Sequence, residues 1–180
     1  MNIIAIGGVP GTGKTTVMRE LLKRVEDWKQ RKPADLLDSI YSEGLDLYVL
    51  GKYQPWYEGE GYAQGTDRLS MAVQPKAIEF LQTCTSNILF EGDRLFTQGF
   101  LEACSAVGDL SIFLLNSDKA TLQERYAARG SQQSEQFIRS RETKYKNLGT
   151  NFELMPLIED CPNNNLEDQK KILDKIAEML

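Results

Sequence analysis

The chain has 180 residues, of which 41% are hydrophobic and 26% charged, a composition typical of one globular domain with a substantial core. Its net charge of −5 argues against a protein that coats nucleic acid non-specifically, although a local basic groove is compatible with that charge. The chain contains no histidine, which excludes a histidine general base and a histidine-based zinc site.

The first predicted element is a phosphate-binding loop. Residues 8–15 read Gly-Val-Pro-Gly-Thr-Gly-Lys-Thr and match G-x-x-x-x-G-K-[ST] at every fixed position. An apolar, β-branched run at residues 2–6 precedes the loop, as a buried parallel strand would. Residues 16–28 follow with apolar side chains at helical spacing. Strand, loop and helix therefore occur in the order that a nucleoside triphosphate site requires.

The residue types of this loop explain its chemistry. Its glycines lack Cβ, so the backbone can approach a phosphate closely, and the amides at the helix start point at the anion. Lys14 is expected to contact the β- and γ-phosphates, and the Thr15 hydroxyl to ligate Mg²⁺. The predicted ATP-binding residues of the loop are Gly8, Gly11, Thr12, Gly13, Lys14, Thr15 and Thr16.

The stretch after the first helix is predicted to contain two strands. Residues 29–33 are charged and end in proline, which we interpret as a solvated helix exit. Residues 36–41 and 45–51 then read as strands around a turn at 42–44, and their alternation indicates a hairpin or an edge strand.

An aromatic, glycine-rich stretch at about residues 51–67 shows neither helical nor strand periodicity, which predicts a long loop. Tyr53, Trp56 and Tyr62 in this loop could stack on a nucleobase. The alternative interpretation is that these aromatic side chains anchor the loop to the core.

The next predicted elements are a helix and a strand that ends in acidic residues. The helix spans residues 66–84, with Pro75 as a kink or restart. The strand at 87–90 leads into Glu91 and Asp93. Ligands of open α/β sheets bind at the carboxyl ends of strands, so one of these acids is expected to face Mg²⁺ or the reacting hydroxyl. A solvated turn is the alternative.

The remaining elements complete a doubly wound architecture. They are a helix around 99–107, a strand at 110–115, a helix from Asp118 to Gly130, a helix from Ser134, a weaker strand at 155–158, and an amphipathic helix capped by Asn165 with Leu166 on its inner face. Strands that alternate with helices after a phosphate loop predict a three-layer α/β/α fold with a mostly parallel, five-stranded sheet. We expect one domain over residues 1–180.

A basic segment is predicted to form a helical lid over about residues 126–146. Across 124–146, six basic residues stand against three acidic ones, which reverses the charge balance of the chain. Arginines on such a cover would stabilise charge on a transferring phosphoryl group, whereas a solvated basic helix is the alternative. The candidates are Arg125 and Arg129 for the nucleotide, and Arg139 and Arg141 for the substrate.

Two enzyme classes use a scaffold of this size, kinases and GTPase switches. A GTPase is expected to carry N-K-x-D after its fourth strand, but residues 116–119 read Asn-Ser-Asp-Lys. A basic cover that excludes water is what a kinase needs to prevent futile hydrolysis. The sequence therefore favours a kinase that uses ATP and Mg²⁺.

Over nearly its whole length, the chain resembles the P-loop kinases of the nucleoside and nucleotide kinase group. Asp93-Arg94 is similar to the Asp-Arg pair of thymidylate kinases, and the arginines of the basic segment are similar to those of their lid. Residues 65–71, 91–94 and 141–145 resemble more narrowly a phage group of these kinases. The enzymes of that group phosphorylate 5-hydroxymethyluracil within DNA, a step towards hypermodified thymidines.

The resemblance implies roles for the candidate residues. Asp93 first, then Asp67 or Glu91, would orient or deprotonate the acceptor hydroxyl, and Thr15 and Asp93 would ligate Mg²⁺. The predicted catalytic residues are Asp93, Lys14, Arg94, Asp67 and Glu91. The predicted substrate-binding residues are Arg68, Tyr53, Trp56, Tyr62, Arg139 and Arg141. A free deoxynucleoside monophosphate or a nucleoside is the alternative acceptor, and a non-catalytic nucleotide-binding module is the third hypothesis.

Cysteines and apolar runs indicate the compartment. Three widely spaced cysteines without a C-x-x-C pair predict reduced thiols. No apolar run approaches the ~20 residues of a membrane span, and the N-terminal apolar run leads directly into the glycine loop rather than a signal-peptide cleavage site. We therefore expect a cytoplasmic protein without a membrane partner, in the host cytoplasm if a phage encodes it.

Overall fold

A central sheet with helices on both faces makes up the fold. The computed structural model describes residues 1–53, 65–128, 130 and 134–180, and for Glu135 the backbone only. Within these ranges the strands are β1 (Asn2–Gly7), β2 (Lys29–Ala34), β3 (Leu37–Ser42), β4 (Leu47–Leu50), β5 (Asn87–Glu91), β6 (Asp109–Asn116) and β7 (Ile158–Pro162). The α-helices are α1 (Lys14–Leu22), α2 (Val73–Leu81), α3 (Gln98–Val107), α4 (Lys119–Ala128), α5 (Glu135–Gly149) and α6 (Leu166–Glu178), and two short 3-10 helices lie at Gly65–Arg68 and Met155–Leu157.

The predicted three-layer α/β/α fold is confirmed, but the prediction of five strands is wrong. The described residues form a seven-stranded sheet in the order β2-β3-β4-β5-β1-β6-β7. The five strands β4, β5, β1, β6 and β7 are parallel to one another. Strand β3 pairs antiparallel with both β4 and β2. A parallel core is therefore extended at one edge by two additional strands.

The interpretation of residues 29–33 as a helix exit is wrong, because Lys29–Ala34 forms the edge strand β2. Its first four residues are exposed, so the strand shows no alternation of apolar and polar residues. Its lysines and proline discourage further pairing at the sheet edge. Helix α1 ends at Leu22, well before residue 28, and the Leu22 carbonyl at its end accepts hydrogen bonds from the Trp28 indole at 2.9 Å and the Val25 amide at 3.4 Å.

Two other element boundaries differ from the prediction. The helix predicted over 66–84 is a 3-10 turn followed by α2, in which Pro75 lies in the first turn, where no backbone donor is needed. The last strand begins at Ile158, because the residues before it form a 3-10 turn around Pro156. Asn165 caps α6 as predicted, but Leu166 is 83% exposed instead of facing inwards.

Alternate residues of the central strands supply two cores. Ile3 and Ala5 of β1 face the layer of α2 and α3, whereas Ile4 and Ile6 face the layer of α1 and α6. Helix α5 joins the first core through Tyr145 and Leu148. Burial on both faces explains why β1 and β5 read as continuous apolar runs.

None of the helices in the described ranges has the length and hydrophobicity needed to cross a bilayer. The three cysteines, all within these ranges, are free thiols.

Gly51, where the chain leaves β4, gives a test of this packing. Its φ is +131°, and a Cβ there would lie 2.3 Å from the Gly65 carbonyl group. We expect Gly51→Ala to lower the free energy of unfolding by roughly 2 kcal/mol or more, because both the backbone angle and the contact oppose a side chain. Urea unfolding measures this. Gly149→Ala is the control, since a Cβ at that position meets no atom within 4 Å; equal stability of the two variants would contradict the packing.

Candidate active site

The phosphate loop lies between β1 and α1 and has space only for glycine at its three key positions. Gly8, Gly11 and Gly13 have φ angles of +139°, +86° and +91°. A Cβ on Gly8 would lie 2.3 Å from the Leu115 carbonyl oxygen, and one on Gly13 would lie 2.5 Å from the Asn163 amide nitrogen. The loop is therefore closely packed on its outer side and presents its backbone on the inner side.

The polar residues of the loop take different positions. The Lys14 ammonium group donates to the carbonyl oxygens of Gly8 (2.7 Å) and Val9 (3.2 Å), so it lies across the concave side of the loop. Thr12 is buried, and its hydroxyl donates to the Val9 carbonyl at 2.9 Å, which braces the loop. Thr15 lines a cavity at the front of the loop, and Thr16 lines a second cavity behind it.

The front cavity has a volume of about 200 Å³ and combines the loop with acidic residues. Its lining is Pro10, Gly11, Gly13, Lys14, Thr15, Asp67, Glu91, Asp93 and Phe137. The three predicted acids therefore lie around the same space as Lys14. We name this space the transfer cavity.

Asp93 contacts three side chains of α5 at the transfer cavity. Its carboxylate lies 2.8 Å from Arg141 Nε and 3.0 Å from Lys144 Nζ, and the Tyr145 hydroxyl donates to it at 3.3 Å. Burial alone would raise the pKa of Asp93, but the positive charges of Lys144 and Arg141 outweigh it and lower that pKa. Asp93 is therefore an ionised carboxylate that docks α5 against the end of β5.

Asp67 supports Asp93 from the other side. The Asp93 backbone amide donates to Asp67 Oδ1 at 2.8 Å, and the Thr66 hydroxyl donates to the Glu91 carbonyl at 2.8 Å. Gly92 between them has a φ of +99°, and a Cβ there would lie 2.8 Å from Asp67 Oδ1. The 3-10 turn that carries Asp67 is thus held directly against the end of β5.

Glu91 is the buried acid of the site. It is only 3% exposed, and burial raises its pKa to about 7. The charge of Lys14 and a hydrogen bond with Thr15 oppose this rise, whereas the charge of Asp67 adds to it. A buried carboxyl group with a pKa of about 7, beside the predicted Mg²⁺ ligand Thr15, is a candidate functional residue on physical grounds.

The structure places Tyr53 in the core, so its ring is not exposed for stacking on a base. Tyr53 is 3% exposed and belongs to the core between the sheet and the layer of α1 and α6. Its hydroxyl has no hydrogen-bond partner among the described residues. Burial is the largest cause that raises the pKa of Tyr53, and the nearby charges of Glu91 and Asp67 add to the rise. This anchoring agrees with the alternative interpretation of the aromatic loop for Tyr53.

The second cavity, of about 350 Å³, lies behind the loop and shares Gly13 with the transfer cavity. Arg125 crosses its wall and donates to the carbonyl oxygens of Gly11 (3.0 Å) and Asn163 (2.9 Å). The Asn163 amide donates to the Thr12 carbonyl at 2.7 Å. Leu166 also lines this cavity, and this position accounts for the exposure of its side chain. We name this space the rear cavity.

The other predicted site residues lie around this centre or outside the described part. Arg94 donates from Nε to the Leu69 carbonyl at 3.2 Å, which ties the end of β5 to the segment after the 3-10 turn. Arg68 and Arg139 are exposed. Arg129, Trp56 and Tyr62 lie outside the described residues, so their predicted roles stay predictions.

Among the site residues that were absent from the predicted set are Phe137, Lys144, Tyr145 and Asn163. The first three had a usable signal, because with Arg141 they recur at helical spacing along α5. Asn163 had none, since its contact with Thr12 joins residues 151 positions apart.

The oxygen donors of the transfer cavity fit a magnesium ion that arrives with a nucleotide. No group of three or more acidic or cysteine side chains in the described ranges is arranged to hold a metal ion unaided. Mg²⁺ is usually bound by one or two carboxylates together with substrate phosphates. The Thr15 hydroxyl and the carboxylate of Asp93 line one cavity and provide such a partial ligand set.

Comparison with known proteins gives a family and a fold. A family profile described as an AAA domain matches residues 4–147. A gluconokinase from Sinorhizobium meliloti 1021 shares 12% identity, covering 98% of this chain and 94% of that chain with a TM-score of 0.50. Kti12 from Chaetomium thermophilum, solved with ADP-AlF3, shares 11% identity, covering 98% and 97% with a TM-score of 0.47. No curated protein matches the sequence. The likeness to the gluconokinase shows a shared P-loop kinase fold.

The raised pKa of Glu91 predicts a pH-dependent stability. Below its ordinary pKa of 4.5, Glu91 is protonated in both folded and unfolded chains. As the pH rises to about 7, only the unfolded chain releases the proton, so this group lowers stability through that range. Without nucleotide, the stability of Glu91→Gln relative to wild type should therefore increase by roughly 2–3 kcal/mol between pH 4 and pH 8.

Urea unfolding of both proteins between pH 4 and pH 8 measures this difference, with Glu153→Gln as the exposed control. A stability difference that does not change with pH would contradict the assignment.

Proposed function

The chain belongs to the AAA-domain family, and on that premise we propose that it is an ATP-dependent phosphotransferase that acts on a hydroxyl group. One observation carries the proposal. Across a single cavity from the phosphate loop lies an ionised acid, Asp93, paired with two cations of α5. A site that only holds a nucleotide with Mg²⁺ needs the loop and one carboxylate for the metal, whereas this cavity is lined by three acids, Asp67, Glu91 and Asp93, beside the cations of α5. Asp93, together with cations that can neutralise phosphoryl charge, supports transfer to an acceptor.

The two cavities support an assignment of donor and acceptor positions. The rear cavity lies behind Gly13 and is the position we propose for the base and ribose of ATP. The loop amides and Lys14 would hold the phosphates, so the γ-phosphate would enter the transfer cavity. Asp93 and Asp67 then lie on the acceptor side of that phosphate.

The proposed reaction is an in-line displacement. The acceptor oxygen forms a bond to the γ-phosphorus, the bond from this phosphorus to the β,γ-bridging oxygen breaks, and ADP leaves with that electron pair. The ionised Asp93 accepts a hydrogen bond from the acceptor hydroxyl, orients it and takes its proton, which then passes to solvent.

Charge neutralisation is shared among the residues of the cavity. Lys14, Arg141 and Lys144 would balance the charge that spreads over the phosphoryl oxygens. Mg²⁺, when bound, would neutralise the β- and γ-phosphate oxygens, and Thr15 and Asp93 are the side chains proposed to hold it.

For the acceptor, we propose the hydroxymethyl group of 5-hydroxymethyluracil in DNA. The three stretches that resemble the phage kinases, residues 65–71, 91–94 and 141–145, meet at one residue, Asp93: the first binds its backbone amide and the last contacts its carboxylate. This convergence supports the narrower resemblance, because the stretches are far apart in the sequence. A base within DNA must leave the stack at a cost of a few kcal/mol, and Trp56 and Tyr62 remain the predicted partners of the extruded base.

A panel of acceptors tests the function. The protein is incubated with Mg²⁺ and ATP labelled on the γ-phosphate, together with hydroxymethyluracil-containing DNA, unmodified DNA, nucleosides or nucleoside monophosphates. We expect label in the modified DNA, with a rate that falls as salt rises. Label in the monophosphates or nucleosides alone would assign a free-nucleotide or nucleoside kinase, and no labelled acceptor would support a non-catalytic module.

Asp93→Asn tests the proposed base. We expect this variant to bind ATP while transfer falls by about 10²–10⁴-fold, because the amide cannot take the proton. Nucleotide binding by fluorescence and transfer by radiolabel measure the two effects. Lys144→Met keeps the acid but removes one cation of α5, so it measures the loss of docking and of charge neutralisation while the proposed base is retained, and Asp160→Asn is an exposed carboxylate control. Unchanged transfer in Asp93→Asn would remove Asp93 from the catalytic role.

A further inference from the structure

Phe137 is an aromatic ring in a cavity whose other described side chains, apart from Pro10, are polar or charged. Among the described residues that line the transfer cavity, it is the one aromatic side chain, and it is 37% exposed. The phosphates of a nucleotide are held by amides and cations, so they do not need an apolar face. The exposed ring is therefore available to something other than the phosphates.

The ring is held in place from one side. The Arg141 guanidinium carbon lies 4.8 Å from the centre of the Phe137 ring, and Arg141 Nε lies 2.8 Å from the Asp93 carboxylate. A cation over an aromatic face is a favourable contact, and the ion pair fixes the cation. A platform ordered before binding loses less entropy when a ligand packs on it.

The same contacts set the distance between the ring and the reacting group. One guanidinium group touches both Phe137 and Asp93, so the two are separated by about the size of that group. A flat ring stacked on Phe137 could direct a short exocyclic arm to the carboxylate. An open-chain polyol has no flat face for this ring, and its hydroxyls would lose hydrogen bonds against it.

We infer that Phe137, held by Arg141, is a specificity-determining residue on which the planar ring of the acceptor stacks while its exocyclic hydroxyl faces Asp93. This inference rests on the proposed phosphotransferase function and names the chemical feature by which the site selects its acceptor. It adds a stacking residue on α5, within the described part of the chain, to the predicted partners Trp56 and Tyr62.

Two substitutions separate stacking from apolar contact. Phe137→Leu keeps apolar bulk but removes the flat face, whereas Phe137→Trp keeps a flat face. Phe152→Leu is the matched control, because Phe152 is 89% exposed and does not line the transfer cavity.

Two measurements are made on each protein. The first is binding of an oligonucleotide containing 5-hydroxymethyluracil, by fluorescence anisotropy with Mg²⁺ and a non-hydrolysable ATP analogue. The second is the KM for that acceptor, for ATP, and for gluconate as a non-planar acceptor.

We expect Phe137→Leu to weaken binding of the oligonucleotide and to raise its KM by about tenfold, while the KM for ATP stays within twofold. Phe137→Trp should bind the oligonucleotide as wild type does, and Phe152→Leu should match wild type in both measurements. A uniform loss of ATP and acceptor binding would instead indicate a structural role and overturn the inference.

Wild-type affinity in Phe137→Leu, or no binding of the oligonucleotide to wild type, would also overturn the inference. A different result would contradict the proposed function. If the oligonucleotide binds but no acceptor is phosphorylated, the proposed kinase activity is wrong, and the binding measurement still decides the role of Phe137.

Discussion

The contacts of the Asp93 carboxylate are the constraint on which the site depends. Two cations and a hydroxyl of α5 meet this one side chain, and the 3-10 turn of Asp67 holds its backbone. The side chains of Asp93, Arg141 and Lys144 are each less than one-third exposed, so removal of one partner would leave a partly buried, uncompensated charge. Helix α5, strand β5 and the 3-10 turn of Asp67 therefore keep their relative positions through one acid.

Sheet topology explains why this acid lies opposite a phosphate loop. Strands β1 and β5 are adjacent and parallel, with Ile6 beside Glu91. The residues that follow the two strands therefore lie together at the carboxyl ends of the strands. The phosphate loop follows β1 and Asp93 follows β5, and ligands of open α/β sheets bind at the carboxyl ends of the strands. The two additional antiparallel strands extend the far side of the sheet, where they leave the arrangement of the loop and the acids unchanged.

Sequence patterns were sufficient wherever the determining interactions are local. The phosphate loop has its glycines, its lysine and its flanking elements within about 25 consecutive residues, and the acids that end β5 follow a recognisable apolar strand. Tertiary contacts decided the rest. Strand β2 carries no alternation because it lies exposed at an edge, and Tyr53 is buried although its neighbours in sequence suggest a loop. Asn163 reaches the phosphate loop only because the last parallel strand ends beside it.

The most direct test of the account is the stoichiometry of the reaction with hydroxymethyluracil-containing DNA. ADP is measured by chromatography and phosphorylated DNA by mass spectrometry in the same sample over time. A site in which Asp93 presents a hydroxyl to the γ-phosphate, with water excluded, predicts equal amounts of ADP and phosphorylated DNA at every time point. ADP that accumulates without phosphorylated DNA would contradict the account, because the cavity would then deliver the phosphoryl group to water.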